Sequence, residues 1–212
     1  SETFDRQYYR PILKALDALM KDRNLSHDAA MQYLIAKHGV ERNIFYAFKE
    51  AVTSQVQENI NKEQQKLTRR YERGEIDAKE YKKLQQELSD SLSTDVQNIL
   101  TLVATDAEHI QNKSDYEAGT ITYSEYIDKE AELRRRYAPD FDSYRKDYSG
   151  LTELTDDEDG YELAALGMVQ SVEDAGNPKT TRLVNSLWNT INAATKESLR
   201  FSYESGQLSR TQ

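Results

Sequence analysis

The run Thr155–Gly160, "TDDEDG", has the residue types of a calcium loop. With Gly160 as the sixth loop position, the first is Thr155 and the twelfth is Leu166, where a bidentate carboxylate is required. The match fails there, and Thr155 with Glu158 reads instead as a capping pair for the following helix. The three histidines, His27, His38 and His109, have no partner at zinc-ligand spacing. His38, beside Gly39, suits a helix C-terminus, where positive charge complements the dipole. The chain holds no Gly-rich phosphate loop, nucleophile elbow or His-Glu-x-x-His run. Acidic pairs are so frequent on its charged helices that none stands out as a catalytic dyad. Basic clusters with a neighbouring aromatic occur at Leu67–Gly74, "LTRRYERG", and Leu133–Tyr137, "LRRRY". Phosphate contact competes there with ion pairing and with plain solvation at a helix end. The sequence therefore predicts no catalytic residue, no cofactor and no metal ligand. Its candidates for partner binding are Asp156, Asp157, Glu158 and Asp159, together with the sole tryptophan, Trp188, a core residue unless the fold exposes it.

The most specific pattern is a repeat. "YERGEIDAKEY", Tyr71–Tyr81, returns as "YEAGTITYSEY", Tyr116–Tyr126, and begins again as "YESGQLSRTQ", Tyr203–Gln212. Gly74, Gly119 and Gly206 stand where a helix ends in a residue of positive φ. Ile76, Ile121 and Leu208 follow two residues later, placed to fold back on the last turn. Asp77, Thr122 and Ser209 are N-cap types, and Glu80 and Glu125 (with Gln212) sit three residues on, which completes a capping box. The pattern spells helix, reversal, helix, with the tyrosines packing across the mouth of each hairpin and their hydroxyls in water. The glycines are 45 and 87 residues apart, and "YSGLTELTDDE", Tyr148–Glu158, reads as a worn intermediate copy.

The elements between these turns follow from apolar spacing of three and four. A first helix opens near Pro11 and carries Ile12, Leu13, Leu16, Leu19 and Met20. Ser26 caps a second, with Ala29, Ala30, Tyr33 and Leu34 inward, which ends at Gly39. A long helix follows from Glu41 to Tyr71 with the stripe Phe45, Phe48, Val52, Val56, Ile60 and Leu67. Another stripe runs from Tyr81 to Ile110, weakened at Ser89–Asp95, where short polar side chains compete for backbone hydrogen bonds and predict a kink or a restart. A shorter helix carries Tyr123, Tyr126, Ile127, Leu133 and Tyr137. "AGNP", Ala175–Pro178, is the strongest turn signal, and the helix after it carries Leu183, Val184, Leu187, Trp188, Ile191, Ala194, Leu199 and Phe201. No segment alternates with a period of two. The predicted class is all-α, an elongated bundle of long antiparallel helices joined by the repeated turn, with residues 1–138 as N-terminal helices and long hairpin and residues 139–212 as acidic segment and C-terminal helices, packed as one unit.

Composition agrees: 37% apolar, 31% charged, three prolines and eight glycines in 212 residues suit exposed rods. Fourteen tyrosines and regular apolar spacing separate the chain from a disordered one. With no cysteine there is no disulfide or thiolate chemistry. No apolar run approaches a membrane span, and no signal-peptide core stands at the start. Of the net charge of −9, all is accounted for by residues 140–174, where eleven acidic residues face Arg145 and Lys146. Such a chain is a poor ligand for nucleic acid, whose phosphates call for cations.

Three phrases, "DYSGLT" (Asp147–Thr152), "LWNTINAATKESL" (Leu187–Leu199) and "SYESGQLS" (Ser202–Ser209), resemble the region preceding the PLxRFG signature in large polyvalent proteins of phages and conjugative elements, especially from Bacteroidetes. "YLIAKHGVERN", Tyr33–Asn43, has the same character. The resemblance covers about a third of the chain by motif, and PLxRFG itself does not occur in these residues. It implies a helical region of a much larger multidomain polypeptide, acting in the bacterial cytoplasm and delivered with the phage or conjugative DNA; it transfers no catalytic residue. The expected function is a non-catalytic scaffold or interaction module whose partners are proteins or neighbouring domains. The rival is a host-protein binder that uses the acidic segment as a DNA mimic, and pull-downs with and without neutralised Asp156–Asp159 separate the two.

Overall fold

The computed structural model describes residues 2–145, 158–173 and 176–205, and for residues 158–164 the backbone only. Every regular element among them is helical. A short helical start, Glu2–Phe4, and a π-turn, Asp5–Tyr9, lead into α1 (Arg10–Arg23). Then come α2 (His27–Glu72), α3 (Ala78–Ala104), α4 (Ala107–Glu117), α5 (Tyr123–Tyr137), a 3-10 turn at Phe141–Tyr144, α6 (Glu158–Glu173) and α7 (Pro178–Glu204). The protein is all-α, an elongated bundle built on α2. No described helix is long and apolar enough to cross a membrane.

The spine, α2, is 46 residues long and changes partner along its length. Its first part, from Ala30 to Val56, buries Tyr33, Val40, Ile44, Phe48 and Val52 against α6, α5 and the 3-10 turn. Phe141 from that turn meets Phe48 edge to face at 6.3 Å. Its outer part pairs with α3 as an antiparallel hairpin. Helix α7 runs back along α1, tied at one end by Asp22, which accepts from the Thr180 hydroxyl at 2.7 Å and from Lys179 Nζ at 2.8 Å. The core is continuous from Leu16 through Val52 to Leu187, but Leu67 and Ile76 lie apart from it. Among the described residues, no hydrogen bond, ion pair or ring contact ties residues 60–92 to anything outside the hairpin.

Several caps form as the sequence predicts. Ser26 Oγ accepts from Ala29 N–H at 3.1 Å, and Asp77 and Thr122 cap α3 and α5; within the predicted turn before α7, Asn177 is the cap and Pro178 stands in the first turn. Three boundaries differ. Gly39 does not end a helix: α2 runs through it, and its φ is not among the positive ones. Buried Ala36, Lys37 and Val40 flank it, and their packing outweighs the roughly 1 kcal/mol that glycine costs inside a helix. Ser89–Asp95 neither kinks nor restarts the chain; Ser91 Oγ donates to the Leu88 carbonyl within unbroken α3. That helix instead stops at Ala104, where Asp106 accepts from Glu108 N–H at 2.8 Å and starts α4. Ile110, the expected end of the stripe, is consequently exposed.

Candidate functional site

The first two copies of the repeated turn share one backbone geometry, but the full capping box expected at both forms only at the second. Gly74 and Gly119 both have φ +73°. Glu75 N–H donates to the Arg70 carbonyl and Gly74 N–H to Tyr71; Thr120 donates to Asp115 and Gly119 to Tyr116, all at 2.9–3.0 Å. These pairs satisfy the last carbonyls of α2 and α4. Asp77 accepts from Glu80 N–H at 2.8 Å. Thr122 and Glu125 complete both halves of a capping box, at 3.1 and 2.7 Å. Ile76 is buried and Ile121 half-buried. Tyr71 stacks on Tyr81, and Tyr116 on Tyr126, each with ring centroids 4.8 Å apart. The end of α7 repeats the same cap: Ser205 N–H reaches the Phe201 and Tyr203 carbonyls, as Arg73 reaches Arg69 and Tyr71. Gly206, Leu208 and Ser209 lie outside the described residues.

Surroundings separate the copies. A Cβ on Gly74 would meet nothing within 4 Å, whereas one on Gly119 would lie 2.7 Å from Pro178 Cα. The α4–α5 turn is thus pressed onto the start of α7, and Tyr116 is carried into the interior. There it joins a polar cluster built from α2, α4, α5 and α6. Lys37 Nζ donates to Glu173 Oε1 and to the Tyr116 hydroxyl, both at 2.8 Å. Tyr116 donates onward to Glu173 Oε2 at 2.7 Å, and Tyr33 to Oε1 at 2.8 Å. The Lys37 ammonium also lies 4.1 Å from the Tyr123 ring centroid, and Tyr123 donates to half-exposed Glu41 at 3.3 Å. Lys37 and Glu173 are each 1% exposed. At the second turn the Tyr116 hydroxyl is therefore not in water, contrary to the pattern expected from sequence, because two buried charges bond to it.

Burial, and then the neighbouring Glu173 carboxylate, push the Tyr33 and Tyr116 hydroxyls far above the usual tyrosine range. For Tyr123 the causes are burial and Glu41. Held protonated, these groups donate hydrogen bonds and do not act as bases. Charge, donors and acceptors in the cluster are matched to one another. The arrangement is a clamp between four helices.

A second buried carboxylate, Glu130, accepts from Asn112 at 2.9 Å and from Arg134 at 2.5 Å. His109 Nδ1 approaches it to 2.8 Å. Burial pushes Glu130 up, yet His109 and Arg134 outweigh it and hold the carboxyl below the usual range. The "LRRRY" cluster is consumed in ion pairs: Arg134 with Glu130, Arg135 with Asp142, Arg136 with Glu108 and Glu132. Trp188 lies half-buried on α7, its Nε1 shielded from solvent and without a hydrogen-bond partner among the described residues. Asp156 and Asp157 lie outside the described residues, as do the side chains of Glu158 and Asp159, whose backbone opens α6. No group of three or more His, Asp or Glu side chains able to hold a metal occurs among the described residues.

Comparison with protein-family models, curated proteins and solved structures gives no match. The functional reading therefore rests on the chain's own geometry. That geometry brings together Lys37, Glu173, Tyr33, Tyr116 and Tyr123, of which the sequence marked Tyr33 and Tyr123 as helix-stripe residues and Tyr116 for its turn, but neither charge. A signal did exist: Lys37 falls in phase with Ala30, Tyr33, Val40 and Ile44, so a charge sits on the buried stripe of α2.

Proposed function

We propose that the chain is a non-catalytic helical scaffold and interaction module within a large multidomain protein of a phage or conjugative element. The observation that carries the scaffold reading is the division of α2 into a clamped part and a free arm. The polar interior spends its charged groups on joining helices, as Lys37 and Glu173 do. Among the described residues, no hydrogen bond, ion pair or ring contact joins the α2–α3 hairpin beyond Ile60 to the rest of the fold. A rod anchored at one end and bare at the other spaces or docks other folded units. The resemblance of "DYSGLT", "LWNTINAATKESL" and "SYESGQLS" to the region before PLxRFG supports placing it in a mobile-element polypeptide. The deciding experiment reads the gene on both sides of this segment. The expected result is one continuous frame that runs past Gln212 into a PLxRFG sequence; a stop codon at that point overturns the placement.

A further inference from the structure

The same turn exists docked and undocked, and the docked copy shows what the other lacks. Around Gly119, the chain packs on Pro178, and the Tyr116 hydroxyl finds the Glu173 carboxylate. Around Gly74 the glycine is open, and Tyr71, the counterpart of Tyr116, is 41% exposed with no hydroxyl partner among the described residues. Charge differs as well. Residues 69–83 hold six basic and four acidic side chains, a net of +2; the equivalent residues 114–128 hold four acidic and no basic ones, a net of −4. Arg69, Lys79 and Lys82 are exposed, with no ion-pair partner among the described residues. At the docked turn, Glu117, Glu125 and Asp128 are exposed, and among the described residues only Glu117 of these has an ion pair, to Lys113 at 3.9 Å. At 1.5 Å per residue, Gly74 lies about 20 Å beyond Ile60. That exceeds two Debye lengths of roughly 8 Å at physiological ionic strength, so the acidic body does not mask the tip.

We propose that the hairpin tip of one copy docks on the acidic outer face of the α4–α5 turn of a second copy. Arg69, Lys79 and Lys82 then oppose Glu117, Glu125 and Asp128, and the Tyr71 hydroxyl gains a carboxylate acceptor as Tyr116 does within the chain. This deepens the scaffold reading by making another copy the partner. Each copy has one tip and one acidic turn, so the contact is head-to-tail, and it builds a ring or an open chain according to the rotation between copies. Exposed charges drive it, which makes it weak and sensitive to salt.

Sedimentation of the intact chain tests it. The expected result is an apparent mass that rises with concentration at about 50 mM salt and returns to the monomer near 1 M, where the Debye length falls to about 3 Å. A tip-reversed variant (Arg69→Glu, Lys79→Glu, Lys82→Glu) is monomeric, and so is a turn-reversed one (Glu117→Lys, Asp128→Lys). An equimolar mixture of the two associates again, because the unaltered tip of one chain meets the unaltered turn of the other and the two reversed surfaces also complement each other; this recovery separates charge pairing from misfolding. A wild-type chain that stays monomeric at low salt, or association indifferent to both reversals, overturns the proposal. The gene-reading test is independent of either result.

Discussion

Glu173 and Lys37 are buried charges 2.8 Å apart, and Lys37 has one further carboxylate near it, half-exposed Glu41 at 3.6 Å. Breaking the buried pair leaves a charge poorly compensated in the interior, which costs about 3–5 kcal/mol. Glu173→Ala is therefore expected to lower the unfolding free energy by that amount in urea titrations. Adding Lys37→Met recovers only part of it, because the Tyr33 and Tyr116 hydroxyls keep no acceptor, at about 1–3 kcal/mol each. Full recovery from the double change would show that the tyrosines find other partners. The residues of this cluster were only half legible beforehand. Lys37 announces itself by its phase on an apolar stripe, but nothing local ties it to Glu173, 136 positions away. The turn residues were legible because each acts within a few positions: glycine at positive φ, a fold-back isoleucine, a capping oxygen.

Among elements, the two reversals permit a comparison at constant chemistry. Alanine at φ +73° costs about 1–2 kcal/mol through its Cβ alone. At Gly119 the added carbon also meets the Pro178 backbone, so α7 must shift. Gly119→Ala is expected to destabilise the protein clearly more than Gly74→Ala, read from the same titrations; equal losses would mean the α4–α5 turn is not pressed onto α7. Element existence was readable from periodicity and caps, while boundaries failed where distant packing decides. Gly39 has the local signature of a terminus, yet α6 lies against that part of α2 and keeps it helical. The break at Asp106 was hidden by the apolar residues continuing to Ile110, whose exposure shows that the stripe had already lost its phase.

At the scale of the whole molecule, stability is unevenly spread. Residues 36–56 of α2 are covered by several elements, whereas the hairpin arm buries little more than Ile60, Leu67, Ile76 and Val96. Regions with few buried apolar contacts open at lower free energy. Amide hydrogens of residues 60–92 are expected to exchange well before those of residues 36–56; uniform protection would contradict an arm held only by itself. The all-α class and the hairpin were predictable from the sequence, but the freedom of its tip was not, since that depends on what fails to pack there. The unbroken course of α2 has a mechanical consequence. Because one helix belongs to both the clamped core and the arm, no joint absorbs motion between them. A tilt of the whole helix by about 10° carries Gly74, about 20 Å beyond Ile60, sideways by roughly 4 Å relative to Ile60, so any movement of the part of α2 held through Lys37 is passed undamped to the tip.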